Sequence, residues 1–304
     1  MAFGDDESAV ALAVLDHLER LFGLVGCYDL FKRLLLDVAD DPFFARAVAG
    51  RDVAPGVDEE EVGEGAASGA VAAFVAAQTA VDLLNCMPQL LDYYGYTYPI
   101  DVIVTGYSQG GAVALGVTRM IEELDSNWIV RKLYAGAGPY DPAGTYLYSM
   151  ERNEMGIPAA IPLIVMGLSD AYGLGFQLQD FFLEPLVSNY DEWLLSKAYS
   201  VGEINQLMGS TIMSELMTEA TLTLDNPLAD QLYEVLLRNS NVGYDLLSPA
   251  YFLHSLDDEV VPLLNTENLI SQMPNDERIS YDIDYYGSHM EASIPFMQYV
   301  YQDL

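Results

Sequence analysis
Gly106-Tyr107-Ser108-Gln109-Gly110 fits the spacing G-x-S-x-G, in which a serine occupies a sharp turn between a strand and a helix. On such a turn the backbone is strained and the hydroxyl projects above the sheet, where it can attack a carbonyl carbon. Gly106 and Gly110, two places to either side, must be small because strand and helix approach closely there. Tyr107 completes the turn, and the backbone N–H of Gln109 opens the helix, aimed at a developing oxyanion. A serine hydroxyl needs a base at neutral pH, and the chain has three histidines. His17 lies among Asp16, Glu19 and Arg20 and reads as a surface residue, while His254 ends an apolar run. His289 follows the last such run, in Tyr286-Gly-Ser-His-Met-Glu291, with a helical segment after it, and is the expected base. Gly-Ser-His-Met also occurs as a cloning scar, an explanation that fails at an internal position. The orienting acid is expected between serine and histidine, where His254-Ser-Leu-Asp-Asp-Glu-Val-Val-Pro262 offers Asp257 and Asp258.

These residues need a sheet beneath them. The β-branched run from Pro99 to Thr105 reads as a buried strand leading into the turn, and the small residues Ala112–Val117 as the helix leaving it. Asn127–Tyr134, Pro249–His254 and Arg278–Tyr285 are three further strands, with helices from Val71 to Tyr94 and from Glu291 onward. Strands alternating with helices predict an α/β fold with a mostly parallel sheet. From about Tyr140 to Tyr244 the apolar segments are helical, without a run of strands. The first sixty residues read as helix and loop, Ser8 capping a helix through Val10, Leu12, Val14, Leu15, Leu18 and Leu21. Arg51–Gly65 is an acidic, glycine-bearing linker.

With Gly-Tyr-Ser-Gln-Gly-Gly111 followed by Leu133-Tyr-Ala-Gly-Ala-Gly-Pro-Tyr-Asp141, the chain resembles an α/β-hydrolase and is similar to secretory-lipase-like bacterial serine esterases. The resemblance covers roughly residues 70–304. It implies Ser108 as nucleophile, His289 as general base and then acid, and an aspartate holding the imidazole in its correct tautomer. The pattern H-x-x-x-D-x-x-V-P, which follows the acid-bearing strand in such hydrolases, singles out Asp258, with Asp257 the alternate. The resemblance divides the chain into a helical segment and linker over 1–65, a hydrolase core over 66–139 and 245–304, and a helical cap over 140–244. The implied reaction is cleavage of carboxylic esters through an acyl-enzyme. Its rivals are a peptidase of the same fold and a degenerate fragment that retains the motif as a binding module.

Composition narrows the substrate. Twelve Lys+Arg against 46 Asp+Glu give a formal charge of −34, which disfavours nucleic acid, anionic membrane surfaces and highly anionic substrates. A neutral, apolar ester is the expected small-molecule partner. Ile157–Leu168 and Phe176–Leu186 are apolar enough to line an acyl pocket, or equally to form the cap's own core. Nothing implies a metal or organic cofactor. Gly65–Val81 is too weakly apolar for a confident membrane span. The acidic opening lacks a secretory leader's basic region, which as written points to the cytoplasm, although the resembling esterases are often secreted. Cys27 and Cys86 read as free thiols, a single disulfide being the alternative.

One expectation of the fold is unmet. No strand series precedes the nucleophile strand, and no His-Gly-Gly-type loop supplies a second oxyanion donor. Val102–Val104 are apolar on both faces, so the sheet edge there needs cover from a missing segment, from the N-terminal helices, or from a second copy of the chain in a homo-oligomer.

Overall fold
A computed structural model describes residues 73–124, 127–196, 198–273 and 277–304. The expected N-terminal helix, acidic linker, His17 and Cys27 lie outside them. Four strands form one all-parallel sheet in the order β1 (Asp101–Tyr107), β2 (Ile129–Gly136), β3 (Ala250–Ser255) and β4 (Ile279–Asp284). These are the four strands expected from the β-branched and aromatic runs. The first two extend two residues further than expected, because the β1–β2 ladder continues through Gly106 opposite Ala135 and Tyr107 opposite Gly136.

Alternate residues of β1 reach opposite faces, and each face finds a helix. Val102 and Val104 share a buried cluster with Ala77, Val81 and Leu84 of α1 (Ala73–Tyr94) and with Ala114, Val117 and Ile121 of α2 (Gln109–Glu123). Ile103 and Tyr107 belong instead to a cluster with Tyr134 and Tyr251 of the neighbouring strands. Helix α8, His289–Asp303, closes that cluster with Ala292, Phe296 and Val300. The result is the layered α/β arrangement that the alternation of elements predicts. Beyond β1 the sheet continues in no further strand among the described residues. The three expected ways of covering that edge all involve residues or chains outside those described.

Between β2 and β3 the chain is helical. It runs through α3 (Pro142–Arg152), α4 (Ala160–Tyr172), α5 (Val201–Met208) and α6 (Pro227–Arg238), with shorter helical turns between. Phe176, Phe181, Phe182, Leu186, Met213 and Met217 bury one another in a core separate from those of the sheet. The apolar segment Phe176–Leu186 is therefore spent largely on this internal packing. Two polar clips tie the helical stretch to the sheet layer. Asp141 caps α3 by accepting from the Gly144 N–H, and its other carboxylate oxygen accepts from Asn268 of α7 (Leu264–Ser271) at 2.7 Å. Glu122 of α2 accepts from the Leu247 and Ser248 N–H groups at 3.0 and 2.8 Å and from the Tyr244 hydroxyl at 2.6 Å, fixing the approach to β3. No helix among the described residues is long and apolar enough to cross a membrane.

Candidate active site
Ser108 stands between β1 and α2 with φ +57° and ψ −131°, a region that a residue with a Cβ enters only under strain of about 1–3 kcal/mol. The surroundings enforce it. A Cβ on Gly106 would lie 2.1 Å from the Gly110 carbonyl oxygen, and one on Gly111 would lie 2.8 Å from that of Gly136. Only hydrogen at these positions lets α2 leave the strand so abruptly. The turn is pinned from both sides, the Ser108 N–H donating to Gly136 O and the Gly111 N–H to Ser108 O, each at 2.8 Å. Gln109 is the first residue of α2, so its N–H has no acceptor within the helix and lies beside the serine, at the positive end of the helix dipole.

His289 opens α8 at the opposite side of the site. Ser288 caps the helix by accepting from the Glu291 N–H, and the Glu291 carboxylate accepts in return from the Ser288 N–H at 2.8 Å. This capping box starts the helix at His289, two residues earlier than the sequence periodicity places it. Gly287, at φ +80°, makes the turn into the cap, and its carbonyl accepts from Ser255 Oγ at 2.6 Å. The Gly-Ser-His-Met run is thus an integral corner of the fold. The His289 ring is nearly buried and held by its backbone: the Tyr107 hydroxyl donates to the His289 carbonyl at 2.6 Å, and the His289 N–H donates to Glu259 Oε2 at 3.0 Å. Burial, with the nearby Asp258 and Glu259 charges, holds the Tyr107 phenol far above its ordinary pKa, so it remains a donor.

The fold brings Ser108, His289 and Asp258 into one line. His289 Nε2 is 2.8 Å from Ser108 Oγ, and Nδ1 is 2.6 Å from Asp258 Oδ2. A carboxylate only accepts, so Nδ1 carries the proton and Nε2 is free to accept from the serine hydroxyl. The Asp258 side chain is 1% exposed. Burial pushes its pKa up, but the adjoining His254 and His289 imidazoles and the Val261 N–H outweigh it and hold the carboxyl well below the usual range. Its Oδ1 accepts from the Val260 and Val261 N–H groups at 2.9 and 2.8 Å. Asp257 is exposed, and its N–H donates to Ser255 Oγ; the aspartate that meets the imidazole is Asp258. Among the described residues no cluster of three or more His, Cys, Asp or Glu residues gathers as a metal site would require.

Two residues make contacts in the site that the sequence did not assign to them. His254 reads there only as the end of a strand, yet its ring lies 3.4 Å from Asp258 Oδ2. Tyr107 reads as a filler of the turn, yet its ring centroid lies 5.2 Å from that of His289 and 5.4 Å from that of Phe296. The H-x-x-x-D spacing carried the first signal; nothing local carried the second.

The fold has counterparts among solved structures. A candidate hydrolase from Legionella pneumophila superposes with a TM-score of 0.65 at 17% identity, over 76% of this chain. The rice cell wall degrading esterase LipA from Xanthomonas oryzae superposes with a TM-score of 0.60 at 19% identity, over 75% of this chain. The chain has an α/β-hydrolase fold. It spans 62% of the length of either protein. No protein-family profile and no curated protein sequence matches it. At these identities the likeness concerns the fold, and the chemistry has to be argued from the site itself.

Proposed function
We propose that this α/β-hydrolase-fold protein is a serine hydrolase that cleaves carboxylic esters through an acyl-enzyme. The observation that carries the reading is the continuous hydrogen-bonded line Ser108 Oγ–His289 Nε2, His289 Nδ1–Asp258 Oδ2, with Ser108 on a strained strand-to-helix turn. His289 takes the serine proton as Oγ attacks the ester carbonyl carbon. The Gln109 N–H and the start of α2 stabilise the negative oxygen of the tetrahedral species. Collapse expels the alcohol, which receives the proton from His289. Water then attacks the acyl-enzyme with His289 as base, releasing the acid and restoring Ser108. Asp258, ionised throughout, holds the imidazole with Nδ1–H toward it and stabilises the imidazolium.

The esterase nature of LipA supports ester over amide cleavage. The net charge of −34 favours neutral esters over anionic ones. A fluorophosphonate probe and p-nitrophenyl esters of graded chain length test the proposal together. Wild type is expected to be labelled and to turn over at least one ester. Ser108→Ala should abolish labelling and lower kcat by at least about 10³-fold. Equal labelling of the two proteins would refute the serine mechanism. Cleavage of prolyl peptides without ester turnover would assign the site to a peptidase, and a labelled protein that turns over neither would make it a binding module.

A further inference from the structure
We propose that His254 is a positioning residue for Asp258, a neutral imidazole locked as its Nε2–H tautomer whose single proton is donated to the carbonyl of Val261, the residue whose N–H holds the Asp258 carboxylate. The inference rests on the reading of Asp258 as the acid partner of His289. His254 is fully buried in β3, and its ring touches three polar groups. Nδ1 lies 2.6 Å from Thr266 Oγ1 on α7, while Nε2 lies 3.0 Å from Val261 O and 3.4 Å from Asp258 Oδ2. A carbonyl oxygen only accepts, so Nε2 bears a proton. The Thr266 hydroxyl can then donate to Nδ1, which satisfies both ring nitrogens without placing a charge in a site closed to water.

The bond to Val261 O fixes the surroundings of the carboxylate. Oδ1 is occupied by the Val260 and Val261 N–H groups, and Oδ2 by His289. His254 fixes the Val261 peptide from its carbonyl side, and its ring edge stands 3.4 Å from Oδ2. With three donors on the carboxylate and the Val261 peptide tied down, the carboxylate cannot swing away from His289 without losing a partner.

Neutrality is part of the design. The charged and titratable groups around the site are Asp258 and Glu259 from the loop, His289 from α8 and Tyr107 from β1. During turnover His289 becomes an imidazolium, and the one carboxylate charge at Oδ2 must stabilise it. A cationic His254 would compete for that same charge across 3.4 Å. A neutral ring holds the Val261 peptide without taking that charge. Leucine or phenylalanine could fill the volume but could not donate.

The test uses the full chain. Long-range ¹H–¹⁵N spectra at pH 7 resolve the rings of only three histidines, and His254→Gln identifies the signal that disappears. The expected signature is a neutral ring with the proton on Nε2. A doubly protonated ring or an Nδ1–H tautomer overturns the proposal. In parallel, kcat and KM are measured on p-nitrophenyl butyrate. His254→Leu should lower kcat by about 10–100-fold, as leaving the buried Val261 carbonyl unpaired beside the carboxylate would, whereas His254→Gln, which can present an amide N–H near Nε2, should lose less than about 5-fold. KM should stay near the wild-type value in both. Equal losses in the two variants, or no loss in a folded His254→Leu, overturn the assignment. If His254→Leu does not fold, the wild-type spectrum and His254→Gln decide. A wild type that cleaves no ester would refute the catalytic reading, while the tautomer would still be read directly.

Discussion
Asp257 and Asp258 are neighbours of the same type, and only their surroundings separate them. The first is exposed; the second is enclosed by two imidazoles and two backbone N–H groups. Asp258→Asn is expected to lower kcat by about 10⁴-fold, because an amide facing Nδ1 favours the wrong tautomer, while Asp257→Asn should leave kcat within about 2-fold as a surface change. Stability should register the same difference. The Asp258 carboxyl is held below its ordinary pKa in the folded state, so its contribution is complete above that ordinary value and is lost as pH falls below it. The gap in melting temperature between wild type and Asp258→Asn, measured from pH 6 to pH 3, is therefore expected to shrink as the solution becomes more acid. Ser108 and His289 were legible in the sequence because each follows a recognisable strand; Asp258 was separated from its alternate Asp257 only by the H-x-x-x-D-x-x-V-P pattern of the resemblance. Tyr107 was legible as part of the turn but not as a partner of His289, which it meets from 182 positions away; His254, whose contacts lie 4 to 12 positions along the chain, was legible only as part of the H-x-x-x-D spacing.

At the scale of elements, the turn around Ser108 depends on the absence of side chains. Gly106→Ala would press a methyl group into the carbonyl carbon and oxygen of Gly110 at 2.3 and 2.1 Å, both backbone atoms that cannot rotate aside. Separating β1 from α2 should cost about 3 kcal/mol, the upper range for overpacking, and should displace Ser108. Urea denaturation and ester turnover are both expected to fall; a stable, active Gly106→Ala protein would show that the close approach is dispensable. The strands were readable because Val, Ile and aromatic residues cluster in short runs between glycines and prolines. Their ends were less readable, since ladder bonds carry β1 through Gly106 and Tyr107 whatever their propensity. The start of α8 was placed late for a related reason: a reciprocal Ser288–Glu291 cap, rather than apolar spacing, sets it.

For the whole molecule the dominant quantity is charge. At −34 the folded surface repels itself, and salt should relieve that repulsion as the screening length drops from about 10 Å at 0.1 M to about 3 Å at 1 M. The melting temperature is expected to rise between 0.1 and 1 M KCl, and a flat response in calorimetry would remove self-repulsion as a limit on stability. The helical stretch between Gly136 and Ala250 has a different consequence, in time rather than in energy. It separates β2 from β3, so the sheet cannot close until a long loop has been gathered, and loop closure slows folding. Asp258 and His289 are 31 positions apart, whereas Ser108 and His289 are separated by 181. During refolding, helical circular dichroism should recover first and fluorophosphonate labelling of Ser108 clearly later; simultaneous recovery would contradict this order. Reactivity of the serine would then report completion of the tertiary structure, a clock for the last long-range closure that no local spectroscopic signal supplies.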